Sequence, residues 1–230
     1  MKEFIESSVF FGVMVTFLSY GLGMTLKKRF KSALLNPLLV SIVIIIGFLL
    51  ITGVSYDSYA VGSQYISYLL TPATICLALP LYQQWELLKR NYRAVVAGIV
   101  AGVLSSMTSI LALSALLHFG HESYVTFLPK SITTAIGIGV SEELGGYVSV
   151  TVVVIVITGV LGNIFAEQAL KIMRITEPIA KGIAIGSASH AVGTAKAMEM
   201  GPVEGAMSSL SIVVSGILTV IGAPIFASFW

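Results

Sequence analysis

Long apolar stretches alternate with short polar ones along this chain. A helix needs roughly 20 apolar residues to cross the hydrocarbon core of a bilayer, and stretches of about that length recur along the sequence. Their recurrence predicts an all-α integral membrane protein, built as a bundle of helices that cross the bilayer. The apolar stretches cover residues 5–26, 37–54, 61–83, 94–118, 147–170 and 206–228.

Prolines indicate where two of these helices begin or break. Asn36 followed by Pro37 predicts a helix start, because proline is tolerated at the first helical position, where its missing N–H has no partner to lose. Pro72 and Pro80 fall inside the third stretch. A proline in a helix interior removes one backbone hydrogen bond, so the third stretch is predicted to be kinked or broken.

Composition supports the same class of protein. Only 10% of the 230 residues are charged, 56% are hydrophobic, and the mean hydropathy is +0.95. A soluble domain carries about 25% charged residues, so this chain cannot cover a water-facing surface. The net charge of +2 gives no basis for nucleic-acid binding.

The sequence offers no metal, cofactor or catalytic motif. Cys76 is the one cysteine, which excludes an internal disulfide and a cysteine-rich metal site. The histidines His118, His121 and His190 lack the HExxH spacing, and no GxSxG elbow is present. We therefore expect no cofactor, no metal ion and no enzymatic activity.

Lysine and arginine positions predict which segments face the cytoplasm. The cations that follow the first stretch place the end of that stretch in the cytoplasm. We also expect the first stretch to be a retained helix and not a cleaved signal peptide. The segments 89–93 and 171–174 are also placed inside, and the stretches 94–118 and 147–170 supply the two crossings between them. The segment 128–146 should then enter and leave from the outer side, with a broken crossing helix as the alternative. The cations are Lys27, Lys28, Arg29, Lys31, Lys89, Arg90, Arg93, Lys171 and Arg174.

Two segments rich in glycine and hydroxyl residues, 128–146 and 180–205, differ from ordinary spans. A lysine at the bilayer centre costs about 2.5–3.5 kcal/mol on insertion scales, and irregular backbone at that depth needs protein or water around it. The pattern predicts two similar hairpins that enter from opposite faces, as in inverted-repeat transporters. An offset of 56 residues pairs Ser131 with Ser187, Ala135 with Ala191, Gly137 with Gly193, Glu143 with Glu199 and Gly145 with Gly201.

These two segments together predict a site for a small anion, because helix N-termini at the breaks would offer unpaired N–H groups. Short hydroxyl side chains and two lysines would surround those groups. The predicted coupling residues for an ion or proton are Glu143 and Glu199. The predicted substrate-binding residues are Lys130, Ser131, Thr133, Thr134, Ser187, Ser189, His190, Thr194 and Lys196.

Each of these residues also has a structural interpretation. The hydroxyls could satisfy backbone groups that the helix breaks leave free, and Lys130 could extend to the outer interface. Lys196 could pair with Glu199 or Glu204. His190 could be a polar packing residue, although ionisable groups inside a membrane are functional candidates. The two coupling candidates could instead be hairpin-end residues that face water.

The motifs of this chain resemble those of the LrgB/CidB family. The resemblance covers nearly the whole chain after the first helix, and the blocks around Ser131 and His190 are the most specific. Ala135 departs from the pattern, because a proline is expected there. The motifs are Leu35-Asn-Pro-Leu-Leu39, Ser55-Tyr-Asp-Ser-Tyr59, Pro80-Leu-Tyr82, Leu128-Pro-Lys-Ser131 with Thr133-Thr134, Gly145-Gly146, Thr158-Gly-Val-Leu-Gly162, Gly186-Ser-Ala-Ser-His-Ala-Val-Gly-Thr-Ala195 and Glu204-Gly-Ala-Met-Ser-Ser209.

The resemblance implies a fold similar to that of the cation/proton antiporter and anion transporter clan, with crossed broken helices and a homodimer. Bacterial members are described as holin-like or antiholin-like proteins of the cell membrane. They modulate murein hydrolase activity and lysis together with a small LrgA/CidA-type membrane partner. Bacterial members are also linked to pyruvate uptake or export, and plastid relatives to glycolate and glycerate transport.

Two functions therefore stand as hypotheses. The first is a secondary transporter of small monocarboxylates such as pyruvate or glycolate, with its site between the interrupted segments. The second is a holin-like or antiholin-like regulator of murein hydrolase activity, autolysis and programmed cell death. We expect a single domain over residues 1–230, in which helices of residues 1–93 serve as a scaffold and residues 94–230 contain the interrupted segments.

Overall fold

The computed structural model describes Ser8, residues 10–30 and residues 35–230, and in these ranges the chain forms helices and turns without β-strands. The all-α expectation is confirmed for this part of the chain. Positions 5–7 and 9 of the first predicted stretch lie outside the described residues, as does Lys31 of the cationic cluster. The chain divides into two compact units, one that ends at Cys76 and one that begins at Leu77.

The first unit contains four helices, α1 to α4. The second of them begins as the sequence predicts, because the Leu38 N–H donates to the Asn36 side-chain oxygen at 2.8 Å and Pro37 is the first helical residue. Asparagine is among the preferred residues at this capping position. The four helices are α1 (Phe11–Phe30), α2 (Pro37–Thr52), α3 (Tyr56–Ser67) and α4 (Leu70–Cys76).

Within this unit, α1 packs closely against its neighbours through glycine. A Cβ on Gly12 would overlap the backbone of Tyr59, and a Cβ on Gly23 would lie 2.8 Å from the Pro37 carbonyl oxygen. A hydrogen bond of 2.8 Å joins Thr16 Oγ1 to Tyr59 Oη. These contacts hold α1 against α2 and α3.

The second unit contains seven helices among the residues described. The third predicted stretch is broken, as its prolines indicate, because it is divided among α3, α4 and α5. The helices of the second unit are α5 (Ala78–Gln83), α6 (Trp85–Leu117), α7 (His121–Phe127), α8 (Thr134–Glu143), α9 (Val148–Ile172), α10 (Pro178–Met200) and α11 (Pro202–Ala227).

Three helices, α6, α9 and α11, are long and apolar enough to cross a membrane, counted over the described ranges only. Large apolar side chains on them are exposed; on α9, Val153, Ile157 and Leu161 follow each other at four-residue spacing. Such a surface is costly in water but fits hydrocarbon, where helices satisfy their backbone hydrogen bonds internally. The protein is therefore a membrane protein.

Two helices extend beyond the apolar stretches that predicted them. α6 begins at Trp85, nine residues before position 94, because a polar first turn carries the Glu86–Lys89 ion pair of 2.7 Å. α11 begins at Pro202, four residues before position 206. Proline suits the first turn of a helix, so Gly201 separates α10 from α11 and residues 202–205 belong to α11.

Candidate functional site

The first hairpin, residues 121–146, consists of α7, a turn and α8. Tyr147, which follows its last residue, returns to the end of α7, since the Tyr147 N–H donates to Thr126 Oγ1 at 2.8 Å. Nearer the turn, the Pro129 carbonyl oxygen lies 3.6 Å from the position of a Cβ on Gly137. The chain therefore reverses between α7 and α8.

The second hairpin, residues 178–200, is formed by α10 alone. His190 has non-helical backbone angles, φ 44° and ψ −143°, in the middle of this helix. A Cβ on Gly193 would lie 3.3 Å from the Ile185 carbonyl oxygen. In a straight helix two residues eight apart are separated by about 12 Å, so the chain doubles back at His190.

Contacts with α11 give the direction of the first arm of this hairpin. A Cβ on Gly182 would lie 2.5 Å from the Glu204 carbonyl oxygen, and one on Gly186 would overlap the backbone of Ser208. Both partners advance by four residues from the first contact to the second. The arm of residues 178–189 therefore runs parallel to α11.

The second arm runs in the opposite direction along the same helix. A hydrogen bond of 2.7 Å joins Thr194 Oγ1 to Ser208 Oγ. Further along the arm, Met198 faces Gly205, where an added Cβ would lie 3.2 Å from the Met198 Cα. The order along α11 is now reversed, so residues 191–200 are antiparallel to α11 and to the first arm.

The tips of the two hairpins meet at the middle of α6. Ser187 of the second hairpin lies against Gly102, and one turn later Ser106 Oγ lies 3.2 Å from Ser131 Oγ of the first hairpin. The first arm of the second hairpin runs along α6 toward the first hairpin, because Ile183 lies next to Gly98 and Ser187, four residues later, lies next to Gly102.

The same meeting point occurs on α9. The His190 ring nitrogen Nε2 lies 3.0 Å from the Ile155 carbonyl oxygen. A Cβ on Gly137 of the first hairpin would overlap the Ile155 side chain, and one on Gly162 would overlap Ser189. The tip of the second hairpin and the α8 arm of the first hairpin thus both contact α9 at Ile155.

The offset of 56 residues between the two predicted segments also has a structural counterpart. Gly137 and Gly193, which the offset pairs, each lie close to the carbonyl oxygen of the residue eight positions earlier in their own hairpin. Those oxygens belong to Pro129 and Ile185, which are again 56 residues apart. The two hairpins therefore close in an equivalent way.

A cavity of about 540 Å³ opens beside the tips, and we call it the central cavity. Its polar lining consists of serine hydroxyls and one lysine. Its remaining lining is apolar and comes largely from α9. The lining residues are Gly102, Ser105, Ser106, Ser109, Lys130, Gly162, Phe165, Ala166, Ala169, Leu170, Met173, Ile175, Ala184, Ile185, Ser187, Ala188 and Ser189.

Lys130 is the one charged side chain among the described residues that line the central cavity. Its Nζ donates to Ser131 Oγ at 3.0 Å, and Ser131 in turn contacts Ser106. No carboxylate within the described ranges forms an ion pair with it. A half-buried ammonium group in such a place can receive an anion.

The sequence profile of the LrgB-like family matches residues 16–229. The chain belongs to the LrgB-like family. No solved structure matches the chain. In this LrgB-like protein the two most specific motifs form the hairpin tips: the block Leu128-Pro-Lys-Ser131 makes the first turn, and the block that contains His190 makes the second.

Three of the predicted binding residues line the central cavity of this LrgB-like protein: Lys130, Ser187 and Ser189. Ser131 lies behind the lining, where it bonds to the lysine. The Ser187 hydroxyl also donates to the Ile183 carbonyl oxygen at 2.6 Å, which is the structural role expected of a hydroxyl in a broken helix.

The other predicted residues of the tips lie outside the lining. His190 is 4% exposed and bonds to α9, and Thr194 donates to the His190 carbonyl oxygen at 3.0 Å. Thr133 is the N-cap residue of α8, although its side chain makes no capping hydrogen bond, and Thr134 begins that helix. Thr194 and His190 thus hold the second tip in shape.

Lys196 is not among the residues that line the central cavity, and it is paired with acids. Its Nζ is 2.7 Å from Glu167 Oε1 and 3.2 Å from Glu199 Oε2. Of the two partners considered from sequence, Glu199 is found and Glu204 is not. Glu143 is exposed at the end of α8, and Glu199 is exposed at the end of α10.

Sequence reasoning missed the serines of α6. Ser105, Ser106 and Ser109 line the central cavity of the LrgB-like protein together with Gly102. These four residues are spaced by three or four positions and share one helix face. A small and polar face on an otherwise apolar helix is the signal that could have found them.

Proposed function

We propose that this protein is a secondary transporter that carries small monocarboxylate anions, such as pyruvate or glycolate, through the central cavity in a bacterial cell membrane. Lys130 carries the proposal. It is a lysine at a hairpin tip, it lines the cavity, and no acid among the described residues neutralises it.

The charge of the cavity supports a single carboxylate as ligand. Ionisable side chains inside membrane proteins are costly and typically pair with another group or line a substrate path. One ammonium group matches one carboxylate. A dicarboxylate would bring a second negative charge that the described lining leaves uncompensated, so monocarboxylates are favoured.

The remaining lining supports a small polar ligand. Serine hydroxyls are both donors and acceptors, and they come from two directions, Ser105, Ser106 and Ser109 from α6 and Ser187 and Ser189 from the second hairpin. A keto or hydroxyl oxygen beside a carboxylate can bond to such groups. The volume of about 540 Å³ falls within the roughly 300–1,000 Å³ of small-molecule sites.

The two hairpins support transport over a simple binding role. Sites in many transporters lie near the bilayer midplane, where discontinuous segments of two repeats meet. Here the tips meet at the middle of α6, and the second tip also contacts α9. We propose that the hairpins enter the membrane from opposite faces, as the charge distribution predicts, and that relative movement of the two opens the cavity to either side.

Uptake into proteoliposomes tests the proposal. The purified protein, with and without an LrgA/CidA-type partner, should take up labelled pyruvate, glycolate or lactate. Lys130→Gln should lower kcat/KM by about 10- to 100-fold, because a hydrogen bond to a charged group contributes roughly 1.5–3 kcal/mol. Lys130→Arg should retain part of the activity, and Lys89→Gln, at an exposed pair outside the cavity, should retain all of it.

Two results would contradict the proposal. One is absence of uptake of all three anions in both the presence and the absence of the partner. The other is leakage of a trapped neutral dye that Lys130→Gln leaves unchanged. A lesion of that kind needs no selective cation, so it would favour the holin-like function.

A further inference from the structure

A second cavity of about 540 Å³ adjoins the central cavity where α9 ends and α10 begins. We call it the vestibule. It shares two lining residues with the central cavity, Leu170 and Ile175. The vestibule is lined by Glu167, Leu170, Lys171, Arg174, Ile175, Thr176, Lys181, Met200 and Glu204.

The vestibule is rich in positive charge. Lys171, Arg174 and Lys181 line it, and no carboxylate of the described chain lies within ion-pair distance of any of them. It also contains two acids. Glu167 is held by Lys196 at 2.7 Å, and Glu204 is largely buried in the first turn of α11.

The acids therefore leave the vestibule with an excess of positive charge. Counting the five ionisable groups of the lining gives three positive and two negative charges, and one of the negative charges is already paired with a lysine outside the lining. An anion that approaches this end of α9 is attracted, because several charges of one sign in a cleft focus the field.

The chain turn after α9 builds the wall between the two cavities. Arg174 adopts a left-handed conformation with φ 56°, its N–H donates to the Lys171 carbonyl oxygen, and the Ile175 N–H donates to the Leu170 carbonyl oxygen at 2.9 Å. This is the hydrogen-bond pattern of a Schellman motif, which brings two apolar residues together.

Leu170 and Ile175 are those two residues. Leu170 is 6% exposed and belongs to a small apolar cluster against which Ile175 packs. Both cavities touch this pair. The wall is thus thin and apolar, and it has positive charge on the vestibule side and Lys130 on the other.

We propose that the vestibule is a second anion site, at which a small carboxylate binds before it passes the Leu170–Ile175 wall to the central cavity. This inference rests on the proposed transport function. It assigns Lys171, Arg174 and Lys181 to anion attraction on the face that the charge distribution places in the cytoplasm.

Thiol reagents of opposite charge test the vestibule without transport. Cys76→Ser removes the native cysteine, and Thr176→Cys places one thiol in the vestibule lining. The anionic reagent 2-sulfonatoethyl methanethiosulfonate should react about tenfold faster than the cationic 2-(trimethylammonium)ethyl reagent, after both rates are divided by those for a free thiol, because opposite and like charges act at short range.

Removal of the three vestibule cations tests whether they cause the difference between the two reaction rates. Combined Lys171→Gln, Arg174→Gln and Lys181→Gln should bring the ratio of the two rates close to one, whereas Lys89→Gln should leave it unchanged. Pyruvate at millimolar concentration should slow the reaction of the anionic reagent. A ratio near one in the protein with all three cations present would overturn the proposal.

Transport measurements separate this inference from the proposed function. In proteoliposomes, the three glutamine substitutions should raise the KM for pyruvate about three- to tenfold from the side on which the Thr176→Cys thiol reacts, and should leave kcat unchanged. An unchanged KM would refute the entry role. If the unsubstituted protein transports no carboxylate, the proposed function fails, and the reagent ratio still decides whether the vestibule attracts anions.

Discussion

His190 has a backbone conformation that glycine adopts more easily than any other residue, since its φ is 44°. Residues other than glycine in sparsely populated regions cost about 1–3 kcal/mol each. His190→Gly should relieve this strain, whereas His190→Ala should keep it. Both substitutions remove the imidazole and its contact with the Ile155 carbonyl oxygen, so that loss cancels in the comparison.

The expected difference between the two variants follows from these terms. Glycine has additional freedom in the unfolded chain, which costs roughly 0.5–1 kcal/mol, and the net advantage of His190→Gly over His190→Ala is about 1 kcal/mol. For a chain of 230 residues that corresponds to about 2–4 °C in Tm. Thermal unfolding of the two purified variants in one detergent measures the difference.

Ala188, two residues earlier, provides a control at which glycine should have the opposite effect on the Tm. Ala188 is in the helical part of the first arm, where glycine is about 1 kcal/mol worse than alanine, so Ala188→Gly should lower the Tm. If His190→Gly proves no more stable than His190→Ala while Ala188→Gly behaves as expected, the chain does not reverse at position 190 in the way described.

Two further predictions concern residues around the site. Gly162→Ala should lower transport at least tenfold with the protein still folded, because the added methyl group would overlap Ser189. Gly98→Ala should be tolerated, because its Cβ would lie 3.3 Å from Ile183 Cγ2 and would need only a small shift of that side chain. Lys196→Met should cost at most about 1 kcal/mol of stability, the range of partly exposed ion pairs. It should also raise the KM for pyruvate from the vestibule side, because it removes the lysine that holds the carboxylate of Glu167, a vestibule residue; an unchanged KM would contradict the charge count given for the vestibule.

The long helices could be predicted because a helix that crosses lipid needs about 20 apolar residues in succession. α6, α9 and α11 each contain an apolar stretch of the expected length, and their exposed apolar side chains need no partner in the same chain. Their ends were less predictable. Trp85 to Arg93 are polar enough to lie in water, but nothing in their pattern prevents the helix of α6 from extending through them.

The chain reversal at His190 could not be placed from local sequence. The segment around it contains no proline, and the backbone is helical on both sides of the break. The reversal depends on tertiary contacts, namely the small Gly193 against Ile185 and the His190 ring against α9. Glycine content indicated that the segment was interrupted, and only packing determined the position.

In the candidate site, too, local sequence indicated some residues, and tertiary packing determined the contacts of others. Lys130, Ser187 and Ser189 were found because they are polar residues in otherwise apolar segments. The acid nearest to Lys196 is Glu167, on a different helix, and no spacing rule connects two residues that far apart in sequence.

The two hairpins differ in charge at the position of Lys130. An offset of 56 residues from Lys130 leads to Gly186, which packs so closely on Ser208 of α11 that no side chain fits there. The position of the second hairpin that matches Lys130 therefore cannot hold a lysine. In the proposed transport function, an anion at Lys130 would therefore be bound by a charge of the first hairpin, and the second hairpin would contribute neutral hydroxyl groups only.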